Sequence, residues 1–218
     1  MKTEKKPSGM TYSYLALRNA VGWIGIMLPF TLMLGVFLIY NGDLTLVTIS
    51  QYYYSGMRDI FVGALCAIAL FLFFYRGYDK WDDRFGNIAG FCALCVAWFP
   101  TTESGPLDIS GTIHFIAASV FFIVLSIFSI FIFTRKGASS TRQKLQRNII
   151  YLICGLVMMA CLVSIMIFFI FSGNDLHSSF VFWAETIALV AFGVSWLTKG
   201  GTISPDKSRS VSLKINQK

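Results

Sequence analysis

Six stretches of mostly apolar residues recur along this chain, each close to the length that a helix needs to cross a membrane. A hydrocarbon core of about 30 Å takes roughly 20 residues of α-helix. Of the 218 residues, 56% are hydrophobic and only 13% are charged, a balance that excludes a soluble globular domain. The predicted fold class is therefore all-α, a six-helix transmembrane bundle with spans at residues 20–40, 59–75, 86–101, 111–134, 148–171 and 180–197.

The positive charges predict how this bundle is oriented. With residues 1–19 in the cytoplasm, the six spans place every one of the 18 Lys and Arg residues on the cytoplasmic side except Arg58. Cytoplasmic loops of membrane proteins carry such an excess, so both termini are predicted to be cytoplasmic. The predicted domains are a cytoplasmic N-terminal segment (1–19), the six-span domain (20–198) and a disordered basic tail (199–218), in a multi-pass protein of the cell (inner) membrane.

The net charge of +7 follows from the same arrangement. Basic residues that set topology lie near anionic lipid headgroups, which accounts for the charge without a polyanionic ligand. We therefore predict membrane lipids as partners and no nucleic acid. The oligomeric state is left open.

The stretch before the second span combines three consecutive tyrosines, at 52–54, with the adjacent Arg58 and Asp59. An aromatic belt at the membrane interface explains tyrosines, but it does not explain the charged pair. Asp59, Gly63 and Ala67 recur at intervals of four, on one face of the helix. Small residues let a neighbouring helix approach, so Asp59 is predicted to point into the bundle.

Small residues also recur at helical spacing in the third span, at Gly86, Gly90 and Ala97, which predicts a helix buried at the bundle centre. Cys92 and Cys95 lie in the same span without a base to activate them, so no redox or zinc role is predicted. The inner turn before this span is charged with mixed sign and is interpreted as a solvated hairpin without chemistry.

Polar residues collect at the predicted outer end of the bundle. Thr101 ends the third span, His114 begins the fourth, and Glu185 lies about five residues inside the sixth. An acid within the membrane is costly and is normally paired, protonated or functional. With no comparable ionisable set expected in the inner half, we predict an outward-facing polar cavity in which Arg58 or His114 neutralises Glu185 or Asp59.

Five segments of this chain carry a resemblance to known families: SQYYYSGMRDIFVGAL at 50–65, FPTT at 99–102, HFIAA at 114–118, FWAE at 182–185 and FGVSW at 192–196. With them the sequence resembles bacterial membrane proteins of the domain-of-unknown-function family nine-nine-eight, over about residues 20–200. More distantly it is similar to the eukaryotic six-span Frag/DRAM/Sfk group, which shares an Ile-Ser-containing outer loop before the second helix and a His-Phe start to the fourth. This resemblance implies a six-span architecture and, by analogy with lipid-anchor remodelling in the eukaryotic group, a link to lipids.

Three functions remain open. The first is binding, and possible modification, of a lipid or other amphiphile; the second is a small proton-coupled transporter, disfavoured because no inverted repeat or inner polar path is evident. The third is a non-catalytic membrane subunit whose polar residues lock helices together. For the first, the candidate acid/base residues are Asp59, His114 and Glu185, and the candidate ligand-binding residues are Tyr52, Tyr53, Tyr54, Arg58, Thr101 and Trp183.

A metal centre is not predicted, since His114 is the one histidine near these acids and His177 lies apart from them. The three-histidine zinc set of seven-span ceramidase-like hydrolases is missing. No cofactor is predicted, and whether the protein makes or breaks a bond is left open.

Overall fold

The structure, a computed structural model of the 218-residue chain, describes residues 9–40, 46, 48–77, 79–103, 105–135, 142–172 and 178–203. Side chains are described for the same ranges except at 9–13 and 172. Of the predicted disordered tail, residues 204–218 lie outside the described residues, and so does His177.

Helices make up nearly all of the described chain, and no strand occurs within it. A short 3₁₀ helix, Ser50–Tyr54, precedes the second helix, and a π-helical turn, Phe128–Ile132, continues the fourth. The α-helices are α1 (Gly9–Tyr40), α2 (Arg58–Phe74), α3 (Lys80–Trp98), α4 (Ile109–Ile127), α5 (Arg142–Ser172) and α6 (Phe180–Gly200).

Each α-helix packs against its neighbours along the chain, and α6 also packs against α1, which closes the bundle. Large aromatic side chains fill the interior. The indole of Trp196 on α6 lies 5.1 Å from the Phe71 ring and 5.5 Å from the Tyr75 ring of α2, centroid to centroid. The ring of Phe128, at the end of α4, completes this cluster 5.9 Å from Trp196.

Four helices are long and apolar enough to cross a membrane, at Tyr14–Tyr40, Ile109–Ile132, Arg142–Phe171 and Phe180–Gly200. The all-α prediction is therefore confirmed, and four of the six predicted spans fall on helices whose length and composition suit a membrane. The remaining helices are less apolar or shorter: α2 has 17 residues, and α3 opens with four charged residues in its first five.

The interface between α2 and α3 depends on the small residues of the predicted third span. The prediction that this helix lies at the bundle centre is wrong, because α3 packs mainly against α2 and α4 and its opposite face is exposed. Gly86, Gly90, Ala93 and Ala97 are all buried. A Cβ atom at position 86 would lie 2.9 Å from the carbonyl oxygen of Leu72, closer than real Cβ contacts come. The two backbones therefore approach each other more closely than larger side chains would permit.

The predicted orientation of Asp59 is wrong. Its side chain is 94% exposed, and Gly63 and Ala67 on the same face are exposed as well. The reason lies on the opposite face of α2, where Phe61, Leu65, Ile68 and Leu72 are buried. These large side chains make many more van der Waals contacts with the neighbouring helices than glycine and alanine could, so the small-residue face points outward.

The expectation that the end of the bundle opposite His114 and Glu185 has no comparable set of ionisable residues is also wrong. Asp82 in the first turn of α3 is completely buried, and its Oδ1 lies 3.0 Å from Nη2 of Arg135. Asp79 accepts a second bond from Arg135, at 2.8 Å, and caps α3 by accepting the backbone N–H groups of Trp81 and Asp82. These bonds lower the pKa of Asp79, the Asp82 N–H contributing most. The charged turn is thus a folded ion-pair network.

Candidate functional site

A cavity of about 360 Å³ opens at the end of the bundle where the 3₁₀ helix lies. We call this the site end; α2, α4 and α6 begin there. The cavity has two chemically different parts. Its polar part is lined by Ser50, Gln51, Thr101, Glu103, His114 and Glu185, and its apolar wall by Phe115, Phe122, Leu162, Ile165, Phe168 and Phe169.

Glu185 holds the 3₁₀ helix in place. The backbone N–H of Ile49 donates to Oε2 of Glu185 at 2.6 Å, and the backbone of Ser50 is a second partner of the carboxylate. Ile49 is buried, while Glu185 itself is half-buried and reaches the cavity. A carboxylate that accepts backbone N–H groups at the start of a helix satisfies donors that would otherwise have no partner.

His114 joins three segments of the chain. Its Nδ1 lies 2.7 Å from the carbonyl oxygen of Phe99, and its Nε2 lies 2.8 Å from Oγ of Ser50. A carbonyl oxygen only accepts, so Nδ1 carries the hydrogen in this contact. In the neutral ring Nε2 is then an acceptor, and the Ser50 hydroxyl donates to it. Because Ser50 and His114 both line the cavity, this hydrogen-bonded pair faces any occupant.

A capped loop fixes the position of Phe99. Oδ1 of Asp108 accepts the Gly111 N–H at 2.7 Å and the Thr102 hydroxyl at 2.8 Å, and these bonds lower the pKa of Asp108. A Cβ atom at position 111 would clash with the Thr102 hydroxyl, which explains the glycine. The loop that presents the Phe99 carbonyl to His114 is therefore tied to the first turn of α4.

The three predicted tyrosines support the loops rather than line the cavity. Tyr52 is completely buried, its ring 6.1 Å from that of Phe182, and burial raises its pKa. Tyr54 donates its hydroxyl to the Thr101 carbonyl at 2.6 Å. Partial burial raises the pKa of Tyr54, and the negative charges of Glu103 and Asp108 add to this effect. Tyr53 packs edge-on against the Tyr54 ring.

Three further predicted residues lie away from the cavity. Nε of Arg58 lies 3.6 Å from Oδ1 of Asp59, and the two side chains are 58% and 94% exposed. Neither is bonded to His114 or Glu185 in the part of the chain that the structure describes. Trp183 is 44% exposed and packs beside the ring of Phe182. Of the predicted set, the structure therefore brings Thr101, His114 and Glu185 to the cavity.

Ser50 was not predicted as a site residue. The residues that follow it include three tyrosines and an arginine, which form a recognisable pattern, whereas a single serine before them forms no motif. The one available signal was the Ile-Ser pair in the resemblance to the Frag/DRAM/Sfk group.

Among the described residues, no three His, Cys, Asp or Glu side chains gather in a way that would hold a metal ion.

Comparison with protein-family models, curated proteins and solved structures found no match to this chain. The resemblance to family nine-nine-eight and to the Frag/DRAM/Sfk group stays a prediction.

Proposed function

We propose that this protein binds an amphiphile, with the polar part of the ligand at the Ser50–His114 end of the cavity and its hydrocarbon against α4 and α5. The observation that supports this most directly is the division of one cavity into a polar end and an apolar wall. Its volume of about 360 Å³ lies in the range typical of ligand pockets. Membrane lipids are the amphiphiles that a protein with several membrane-spanning helices meets at the highest concentration.

The charges around the cavity favour a neutral or cationic headgroup. Glu103 and Glu185 are the ionisable acids that line it, and no lysine or arginine does so among the described residues. Arg58, a candidate ligand-binding residue from the sequence, instead pairs with Asp59 on the exposed surface. An anionic group next to the exposed Glu103 carboxylate, with no cation among the described lining residues, would be disfavoured by like charge.

We further propose that all six helices cross the membrane, with both termini in the cytoplasm and the site end facing outward. The contacts of α2 support this, since they join it to α1 at both ends. The Tyr14 hydroxyl, near the start of α1, donates to the Arg76 carbonyl at 3.0 Å, and Tyr40, where α1 ends, lies against Gly56. At about 1.5 Å per residue, the 17 residues of α2 extend about 25 Å, close to a hydrocarbon core.

The binding proposal is tested by filling the cavity. Ala118 is half-buried on the cavity wall, so Ala118→Phe places a ring where the hydrocarbon would lie. Ala67→Phe is the matched control, because Ala67 lies on the exposed face of α2. Native mass spectrometry of the detergent-purified proteins, with bound lipids identified, is expected to show a defined lipid in the wild type and in Ala67→Phe, and at least a tenfold loss in Ala118→Phe.

Equal amounts of unselective lipid in all three proteins would overturn this proposal. The hydrogen bonds of Glu185 and His114 would then be best explained by the third function considered from the sequence, a membrane subunit whose polar residues lock segments together. Arg58→Ala serves as a further control, and its lipid content is expected to equal that of the wild type because Arg58 lies outside the cavity.

A further inference from the structure

Ser50 and His114 are arranged as a nucleophile and its base. The Ser50 hydroxyl donates to Nε2 of His114 at 2.8 Å, and Nδ1 of the same ring donates to the Phe99 carbonyl at 2.7 Å. The second bond fixes both the tautomer and the orientation of the imidazole. A hydroxyl, a base within hydrogen-bond reach and a third group that orients the base form the arrangement by which serine is activated.

The pair is also placed where a substrate can reach it while bulk water is largely excluded. Ser50 is 9% exposed and His114 is 4% exposed, and both line the cavity. The apolar wall continues from them along Phe115, Phe122 and Phe169. An amphiphile bound as proposed would therefore place the junction between its hydrocarbon and its polar part beside the Ser50 hydroxyl.

We propose that Ser50 and His114 cleave carboxylic esters of long acyl chains, an inference that rests on the proposed binding function. An acyl ester has its reactive carbonyl at the junction between hydrocarbon and polar group. Phosphate esters fit less well, because the described lining residues offer acidic side chains and no cation to a charged phosphoryl group.

The reaction balances with water as the one co-reactant. Oγ of Ser50 forms a bond to the ester carbonyl carbon while its proton passes to Nε2 of His114. The bond from the acyl carbon to the alcohol oxygen breaks, and the departing alcohol takes the proton from Nε2. Water then gives a proton to Nε2 as its oxygen bonds to the acyl carbon, and the Ser50–acyl bond breaks with the proton returning to Oγ. The products are a fatty acid and an alcohol.

A fluorophosphonate probe with an alkyl chain tests the nucleophile directly. Attack by Oγ forms an O–P bond and expels fluoride, so intact mass and peptide mapping report which serine reacted. We expect the purified wild type to be labelled at Ser50, and Ser50→Ala and His114→Gln to lose this labelling. Ser164→Ala is the matched control and is expected to react as the wild type does, because Ser164 is not among the residues that line the cavity and its hydroxyl is bonded to the Cys161 carbonyl on α5.

Turnover is measured with 4-nitrophenyl esters of increasing acyl length. The rate is expected to rise with chain length, because longer chains cover more of the apolar wall, and to fall about 100-fold or more in His114→Gln. Ser50→Cys covers the case in which Ser50→Ala does not fold. Iodoacetamide is expected to alkylate residue 50 at least tenfold faster in Ser50→Cys than in Ser50→Cys with His114→Gln, since the imidazole favours the thiolate.

Different outcomes would overturn ester cleavage by Ser50 and His114 and the binding of an amphiphile. A wild-type protein that retains a defined lipid but is not labelled at Ser50 would overturn the catalytic inference and leave amphiphile binding intact. Equal labelling of Ser50 in the wild type and in His114→Gln would show that His114 is not the base that activates Ser50. A wild-type protein that retains no defined lipid and is not labelled by the probe would overturn both the binding proposal and the catalytic inference.

Discussion

Single side chains at the site end act by binding backbone groups of other segments. Glu185 binds the N–H of Ile49, 136 positions away in sequence, and His114 binds the Phe99 carbonyl. Each bond satisfies a polar backbone group in a partly buried place, where leaving it unpaired is costly. The same residues line the cavity, so the shape of the polar end depends on the bonds that hold the loops.

Replacing Glu185 is expected to loosen the 3₁₀ helix. In Glu185→Ala the Ile49 N–H loses its acceptor, and we expect the free energy of unfolding to fall by about 1–3 kcal/mol. Hydrogen exchange at residues 49–54 should become faster in the same variant. Glu185→Gln keeps an acceptor oxygen and should lose less than Glu185→Ala.

Glu103→Ala is the control for this comparison. Glu103 also lines the cavity, but it is exposed and makes no side-chain hydrogen bond among the described residues. Its replacement should leave the exchange of residues 49–54 and the melting temperature unchanged. Unchanged exchange in Glu185→Ala as well would show that the bond to Ile49 does not hold the loop.

The sequence predicted part of this site because helix ends are visible in it. Thr101, His114 and Glu185 each lie near the end of an apolar stretch, and alternation of direction places those ends together. The partners of these residues were not visible. The Ser50–His114 bond joins residues 64 positions apart through an irregular loop, and Glu185 binds a backbone group, which no side-chain pattern indicates. Of the ion pairs that opposite charges suggested, Arg58 and Asp59 do pair, but on the exposed surface, and Glu185 binds the backbone of Ile49 instead.

At the scale of helices, the predictions were most accurate where apolar residues continue to the helix end. The predicted first span began at residue 20, whereas α1 begins at Gly9, because polar residues among 9–19 interrupt the apolar pattern in the sequence. The predicted third span began at residue 86, whereas α3 begins at Lys80 under the Asp79 cap. Hydropathy measures the part of a helix suited to lipid, and caps determine where the helix itself starts.

Two glycines on the facing helices give a matched test of helix packing. Gly86→Ala is expected to lower the free energy of unfolding by about 1–3 kcal/mol, because its Cβ would press on the Leu72 carbonyl and force α2 and α3 apart. Gly63→Ala is expected to melt at or above the wild-type temperature, since a Cβ there meets nothing within 4 Å and alanine favours helix. Thermal unfolding in one detergent compares the three proteins, and equal melting of both variants would contradict the close α2–α3 contact.

At the scale of the whole molecule, polar networks hold both ends of a bundle whose middle is aromatic and aliphatic. Arg135, after α4, binds Asp79 and Asp82 at one end, and His114, in the first turns of α4, binds Phe99 at the other. The helices α3 and α4 are therefore joined at both ends and lie side by side along their length. If α4 crosses a membrane, α3 has the same extent and needs the same environment, despite its charged first turn.

If all six helices cross the membrane, residues at the site end are reached from outside the cell and residues at the opposite end are not. Ile109, where α4 begins, and Trp81, in the first turn of α3, are 82% and 62% exposed, and both are uncharged. In spheroplasts a membrane-impermeant maleimide should label Ile109→Cys, whereas Trp81→Cys should react only after lysis; the unmodified protein, whose described cysteines lie within helices, gives the background. Labelling of both cysteines from outside would mean that α2 and α3 form a hairpin that does not cross, which leaves four crossings.

Labelling of Trp81→Cys alone would mean that the positive charges face outward and the orientation is reversed. Protection of Trp81→Cys with labelling of Ile109→Cys is the result that six crossings require, and it would place the cavity with Ser50 and His114 at the outer surface, where its ligand must be sought in the outer leaflet.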